Sequence, residues 1–373
     1  MNDKRKVLIL SCGTGGGHNS AAKAIQENLI EKGIEANFVE YLDIINSKIK
    51  DGVNHLYLKT TNRNGKVFKV VYRLGELYEK TKLKSPVYQL NSLNKKKLYQ
   101  YIKENQYQYI ITTHLFAAQA LTAIKKEHPI HFMQVATDYV SIPFWEETNP
   151  DYFVIPSKEL EKDFQCKKIN PEKILPLGIP VARDYREEYK IEECKKELKL
   201  EIDKKYVLVL TGSMGFGSVL QMVEELVKNI KNVAFIVSCG NNTKLLKNLK
   251  NKYGENNKSV IPLPYTNVLS KYMKSSEIVL SKPGGLTTTE IATLRKPLIH
   301  TMPIPGCENY NANFFSNRNM SIQCTTIKEV VDNTKKLLED LQLQKEMIEK
   351  QAQYINRKTC DEITDVIIKE ISK

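Results

Sequence analysis

The chain has 373 residues, with 41% hydrophobic and 27% charged positions and a formal net charge of +13. That length suits two to three domains of roughly 100–200 residues each, and the balance excludes collagen-like, mucin-like and wholly disordered chains. The longest apolar runs, such as Tyr206-Val207-Leu208-Val209-Leu210, are strand-sized and far short of the ~20 residues of a membrane-spanning helix.

The opening residues reach only four consecutive strongly apolar positions, Val7 to Leu10, where a secretory leader needs roughly 7–15. The seven cysteines (Cys12, Cys166, Cys194, Cys239, Cys307, Cys324 and Cys360) form no C-x-x-C pair and no metal-ligand spacing with histidine. The expectation is an unsecreted chain with reduced thiols, no disulfide frame and no metal site.

A strand over 6–10 leads into Gly13-Thr14-Gly15-Gly16-Gly17-His18. An amphipathic helix over 19–32 follows, with Ala21, Ala22, Ile25 and Leu29 on one face and Gly33 as its C-cap. Glycines at a strand-to-helix turn let backbone N–H groups approach an anion or a tightly held substrate. The dinucleotide fingerprint fails, because His18 stands where its last glycine belongs. A histidine at this point is a candidate proton acceptor; the plainer reading is a tight turn with an incidental histidine.

Strands are expected at 36–41, 109–113, 131–136 and 152–155, with helical stretches between them, the pattern of a parallel sheet. Between Leu58 and Lys103, twelve Lys/Arg stand against two Glu, an excess of ten that supplies most of the net charge. Lys66, Lys69, Arg73, Lys95, Lys96 and Lys97 are interleaved there with Phe68, Tyr72, Tyr78, Tyr88, Tyr99 and Tyr101. Basic residues mixed with aromatics suit an anionic membrane surface or a nucleic acid. The plainer reading is a solvated helical face.

Residues 177–189, punctuated by Gly178 and Pro180, read as a link. The second half repeats the opening: a strand over 206–210, the loop Thr211-Gly212-Ser213-Met214-Gly215-Phe216-Gly217-Ser218, then a helix with Leu220, Val223, Leu226, Val227 and Ile230 on one face. Gly212 and Gly217 have Walker spacing, but Ser218-Val219 replaces Lys-Ser/Thr, so the lysine that neutralises a triphosphate is missing. A diphosphate held by backbone amides is still compatible. Further strands are expected at 234–238, 259–262, 278–281 and 298–300, and helix nearly throughout from 328.

Ser281-Lys282-Pro283-Gly284-Gly285-Leu286-Thr287-Thr288-Thr289-Glu290 follows a strand and opens a helix, an arrangement that favours phosphate. Glu290 suits the paired hydroxyls of a ribose, or else assists the helix dipole. The next strand-end loop, Pro303 to Asn313, carries Glu308 and Asn311, able to read sugar hydroxyls; the alternative is an ordinary turn. Each half thus reads as a doubly wound α/β domain with ligands at the carboxyl ends of its strands. A two-substrate enzyme with a phosphate-bearing ligand is expected.

Together, Gly15-Gly16-Gly17-His18, Thr137-Asp138 with Trp145 downstream, Leu177-Gly178-Ile179-Pro180-Val181, Pro283-Gly284-Gly285 with Glu290, and Pro305-Gly306 with Glu308 and Asn311 resemble a known family in content and order. It comprises the monogalactosyldiacylglycerol and diglucosyldiacylglycerol synthases and, more distantly, the N-acetylglucosaminyltransferase that completes lipid II. The resemblance implies a GT-B architecture, two Rossmann-like doubly wound domains facing a central cleft. It implies a UDP-sugar donor on the C-terminal domain, a membrane lipid acceptor on the N-terminal one, inversion at the anomeric carbon and no cofactor or metal. By carry-over, Glu290 holds the ribose. Pro283, Gly284, Gly285, Leu286 and Thr287, with Gly212, Ser213, Met214 and Gly215, hold the diphosphate, and Glu308 and Asn311 hold the donor sugar. His18 and Asp138 occupy the positions of the catalytic-base candidates, and Gly15, Gly16, Gly17 and Trp145 belong to the acceptor side. Cys307 stands where many relatives have glutamine.

The expected organisation is an acceptor- and membrane-binding domain over 1–181, a UDP-sugar domain over 182–350, and a helix over 351–373 packing back toward the first domain. The expected function is hexose transfer from a UDP-sugar to a membrane lipid, diacylglycerol or glycosyl-diacylglycerol, by a peripheral protein on the cytoplasmic face of the cell membrane. A soluble acceptor or UDP-sugar epimerisation is the alternative, and leaves the basic aromatic segment without a task. No nucleic-acid module is recognisable. The residues do not choose among glucose, galactose and N-acetylglucosamine, nor set the oligomeric state.

Overall fold

Strands buried on both faces read as unbroken apolar runs, because helices cover both sides of a parallel sheet. The computed structural model builds two six-stranded sheets of this kind, every pairing parallel. It describes residues 5–13, 16–45, 84–167, 169–211, 219–254 and 257–372. Gly15, Lys66, Lys69, Arg73, Gly212, Ser213, Met214 and Gly215 lie outside these residues, as does the basic segment up to residue 83.

The first sheet holds β1 (Lys6–Ser11), β2 (Glu35–Glu40), β3 (Tyr109–Thr112), β4 (Phe132–Val135), β5 (Tyr152–Val154) and β6 (Ile174–Leu175), in the order β2-β1-β3-β4-β5-β6. Alternate residues of β1 enter different cores. Leu8 and Leu10 pack with Leu98, Ile110 and Leu121, whereas Val7 and Ile9 pack with Ile25, Leu29, Ile363 and Ile367. The helix Gly17–Glu31 ends in a Schellman turn: Gly33, at φ +77°, donates to the Ile30 carbonyl (2.9 Å), and Ile34 donates to that of Leu29 (3.0 Å).

The second sheet holds β7 (Lys205–Leu210), β8 (Val233–Gly240), β9 (Val260–Pro264), β10 (Ile278–Ser281), β11 (Leu298–Thr301) and β12 (Ile322–Cys324), in the order β12-β11-β10-β7-β8-β9. The order reverses between β1 and β3 in one sheet and between β7 and β10 in the other. Ligands of open α/β sheets bind at such switch points.

The chain divides into two compact units: Met1–Arg183 with Pro305–Cys307 and Asn356–Lys373, and Asp184–Ile304 with Glu308–Ile355. The helical tail is three helices, Ile327–Glu339, Leu341–Tyr354 and Thr359–Ile371. The last belongs to the first unit, where Asn28 donates to the Cys360 carbonyl (3.2 Å) and to Thr364 Oγ1 (2.9 Å). Its start explains Gly178. That residue sits at φ +111°, and a Cβ there would lie 2.5 Å from Thr359 Oγ1, the hydroxyl that donates to the Leu177 carbonyl.

Candidate active site

The first unit places His18 at the carboxyl end of β1. Gly16, at φ +84°, is the left-handed residue before the helix and has no side-chain cap, and His18 is the second residue of the first turn. Its Nδ1 lies 2.8 Å from the Thr113 carbonyl and 2.9 Å from Thr137 Oγ1. A carbonyl only accepts, so Nδ1 carries the hydrogen, and in the neutral ring Nε2 holds the lone pair. Burial lowers the His18 pKa below its ordinary value; the Asp138 carboxylate and the Thr113 carbonyl oppose that shift. The ring is therefore neutral at physiological pH, with Nε2 ready to accept a proton. Asp138 follows β4, is partly exposed, and acts on His18 through its charge.

Residues behind His18 escape sequence reasoning. Thr113 donates from Oγ1 to the His18 carbonyl and shares a hydroxyl–hydroxyl bond with Ser11 Oγ, both at 3.0 Å. His114 packs edge-on against His18, with centroids 4.8 Å apart and planes at 82°. The available signal is the polar run Thr112-Thr113-His114 closing an apolar strand beside the switch point. Trp145 is 5% exposed and packs on Phe153 and Phe164, with centroids 5.7 and 5.3 Å away. It anchors its loop from inside the core.

Of the lysine triplet, Lys95 pairs with Glu127 and Lys97 donates to the Ile45 carbonyl (3.1 Å), while Lys96 is exposed. Beside them the helix Pro86–Leu93 leaves Leu90 and Leu93 61% and 79% exposed. Its inner side is fixed by Glu147, which accepts from the Ser85 amide and hydroxyl and from Gln119 Nε2.

The second unit places the helix Gly285–Thr293 after β10. Gly284 precedes it without a side-chain cap, so the amides of Gly285, Leu286 and Thr287 have no intrahelical acceptor. Pro283 is tied by Asn311, whose Nδ2 donates to the Pro283 carbonyl (2.9 Å). Asn311 is fully buried, which makes it a brace of this turn. Glu308 accepts from the Ile304 amide (2.8 Å) and counters the burial that lowers the Lys282 pKa.

Glu290, 9% exposed, has a carboxyl that makes no hydrogen bond to a described residue. Burial pushes its pKa up to about 8. Below the helix, His300 is fully buried between Thr288 Oγ1 and Ser321 Oγ, each 3.1 Å away, and burial drives its pKa down to about 3. Nothing local in the sequence marks His300 as part of this assembly. An uncapped helix start suits a diphosphate, and an unpaired buried carboxyl suits a pair of hydroxyls.

The chain is similar to known proteins over most of its length. The family model for monogalactosyldiacylglycerol (MGDG) synthase matches residues 18–181, and that for the glycosyltransferase family 28 C-terminal domain matches residues 206–363. A processive diacylglycerol beta-glucosyltransferase of Bacillus subtilis (strain 168) is 27% identical over 345 residues, covering 91% of this chain and 88% of that protein. The crystal structure of Acinetobacter baumannii MurG superposes with a TM-score of 0.64 at 16% identity, covering 98% of this chain and 99% of the other. The S. aureus MnaA–UDP co-structure gives 0.64 at 16% identity, with 97% and 96% covered. These likenesses establish the GT-B fold.

Proposed function

For a chain that belongs to the monogalactosyldiacylglycerol synthase and family 28 glycosyltransferases, we propose transfer of glucose from UDP-glucose to diacylglycerol at a membrane surface. The observation that carries the reading is the second unit's helix start: three amides without an intrahelical acceptor, with a buried carboxyl a turn and a half further on that bonds to no described residue. The amides take the diphosphate and Glu290 takes the ribose hydroxyls. The choice of glucose and diacylglycerol follows the activity named for the Bacillus relative. UDP-glucose is α-linked and a beta-glucoside is the product in that name, so one displacement with inversion is the economical route.

In that displacement the acceptor oxygen bonds to the anomeric carbon, the bond from that carbon to the diphosphate oxygen breaks, and the hydroxyl proton passes to His18 Nε2. Charge developing on UDP is stabilised by the amides of 285–287, with no metal ion required. Asp138 favours the imidazolium that results. Among the described residues no helix is long and apolar enough to cross a membrane. Exposed Leu90 and Leu93, next to exposed Lys96, support peripheral binding to an anionic surface, on the cytoplasmic side where UDP-sugars are made.

The test is a panel of UDP-glucose, UDP-galactose and UDP-N-acetylglucosamine with diacylglycerol in phosphatidylglycerol vesicles, products identified by mass spectrometry. The expected product is glucosyl-diacylglycerol, with turnover cut about 10²–10⁴-fold in His18→Ala. A soluble glycoside or an epimerised sugar nucleotide as the only product would overturn the reading. Full turnover in His18→Ala would remove the base.

A further inference from the structure

His114 caps the helix Leu115–Lys125 with its own ring: the Phe116 amide donates to Nδ1 at 3.2 Å. An N–H bonds only to a lone pair, so Nδ1 is unprotonated and the neutral ring carries its hydrogen on Nε2. Charging this ring would break the cap. The ring is also clamped between two edge-on neighbours, His18 at 4.8 Å and 82°, and Phe116 at 4.7 Å and 77°. His114 is 9% exposed. Thr112 Oγ1, which accepts from the His114 amide (3.2 Å) and donates to its carbonyl (3.0 Å), fixes the backbone.

We propose that His114 is a positioning residue for transfer: its clamped, neutral ring sets the plane of the His18 imidazole and shields it from water, so that Nε2 meets the acceptor hydroxyl as a neutral base. This rests on the reading of His18 as the base. The Thr113 carbonyl and the Thr137 hydroxyl fix only the Nδ1 end of His18, and rotation about that end is stopped by the ring beside it. Among the described residues, the groups acting on His18 are His114 from the end of β3, the Thr113 carbonyl, the Thr137 hydroxyl, and Asp138 from the end of β4. Of these only Asp138 carries a charge while His114 stays neutral. Burial, with His18 second, holds the His114 pKa well below the ordinary histidine value. A second cation therefore does not build up beside the base as it takes its proton.

Cap and ring are separable by substitution. Asparagine is a good N-cap and offers Oδ1 to the Phe116 amide, so His114→Asn keeps the helix start and deletes the ring. His114→Phe keeps a ring and deletes the acceptor. The assay is glucosyl transfer from UDP-glucose to diacylglycerol in phosphatidylglycerol vesicles across pH, beside UDP calorimetry and thermal melting.

His114→Asn is expected to melt near the parent and bind UDP like the parent. Its kcat should fall by about 10²-fold, the size expected when a reacting group is displaced by about 1 Å. Its acid limb should move to higher pH, because water now reaches His18 and relaxes the burial that lowered its pKa. His114→Phe is expected to melt lower yet turn over faster than His114→Asn. Parent kcat and parent acid limb in His114→Asn overturn the proposal. So does the reverse order of the two variants in turnover, which assigns the effect to the cap alone. If His114→Asn does not fold, a kcat for His114→Phe as low as that of His18→Ala overturns it equally. His18→Ala runs alongside: if it keeps full turnover, the base reading has failed. If it is inactive while His114→Asn is unaffected, only the positioning role has.

Discussion

Glu290 permits a direct test of donor binding through its proton. Burial lifts its pKa from 4.5 to about 8, and no described residue hydrogen-bonds to its carboxyl. In the free protein at neutral pH it is therefore protonated. A carboxyl whose folded pKa is raised stabilises least at high pH. Folded and unfolded states both hold the proton below 4.5, the unfolded state loses it first, and the deficit grows until pH passes about 8. At ~1.4 kcal/mol per pH unit, the whole gap is on the order of 5 kcal/mol. On the proposed reading, two ribose hydroxyls donating to the carboxylate offset much of that cost, so UDP favours the ionised form. Binding must then expel the proton.

The expected result is release of up to about one proton per UDP at neutral pH, fading above pH 8, where the group is already ionised. Calorimetry in phosphate and in Tris, whose ionisation heats differ, reads the number. The terminal phosphate of UDP sheds some proton itself, and Glu290→Gln, uncharged at every pH, measures that background. Glu290→Ala should weaken UDP by about 1–3 kcal/mol. Equal proton release in the parent and Glu290→Gln, or unchanged UDP affinity in folded Glu290→Ala, refutes the placement of ribose at this carboxyl.

If, as proposed, helix-start amides hold the leaving diphosphate, turnover should survive EDTA; loss restored by magnesium or manganese would show that they do not suffice. At Gly284 an added Cβ meets nothing within 4 Å and φ is an ordinary −69°, so Gly284→Asp should fold and melt no lower than the parent. Its carboxylate occupies the open amides, and UDP affinity should fall at least about tenfold, ~1.4 kcal/mol; parent affinity would place the diphosphate elsewhere. Leu90→Ser with Leu93→Ser should reduce sedimentation with phosphatidylglycerol vesicles at any salt, whereas Lys96→Gln should act only at low salt, because exposed charges are screened over ~8 Å at physiological ionic strength. Adding changes at Lys95 and Lys97 should contribute little, as Glu127 and the Ile45 carbonyl already engage them; vesicle binding unaffected by both sets would turn this face to solvent.

The sheets were legible because a strand buried on both sides leaves no polar position, as at Val7–Leu10 and Tyr206–Leu210. Gly33 was legible because a left-handed C-cap admits few other residues. The edge strands Ile174–Leu175 and Ile322–Cys324 were not: two or three residues carry no period, and only pairing to Phe153 and Ile299 makes them strands. The tail read as helix nearly throughout from 328, without its breaks. Asp340, whose carboxylate accepts from the Leu343 amide (2.9 Å), restarts it with a cap that composition hides. At the site, His18 and Glu290 stood out by residue type at a glycine turn. The neutral state of Glu290 did not, because it follows from burial. Asn311 and Trp145 read as polar or aromatic loop residues, the usual look of ligand contacts; Asn311 instead lies in the helix Cys307–Ser316, Trp145 opens a short 3-10 turn, and both side chains are buried.

The two sites also share a construction that no single motif displays. Each glycine-rich helix start is backed by a buried, neutral imidazole: His114 beside His18, and His300 under Thr288. Burial holds both rings below the ordinary histidine pKa, so they brace through hydrogen bonds and packing without adding a charge. A lysine or arginine in either place would brace as well but act differently. Beside His18 it would repel the imidazolium formed when the acceptor loses its proton, weakening the base. Under the 285–293 helix it would attract the charge that develops on departing UDP, and so would hold the product as well as the transition state more tightly. On the proposed reading, neutral braces give rigidity alone, and leave the charge that matters to Asp138 on one side and to open amides on the other.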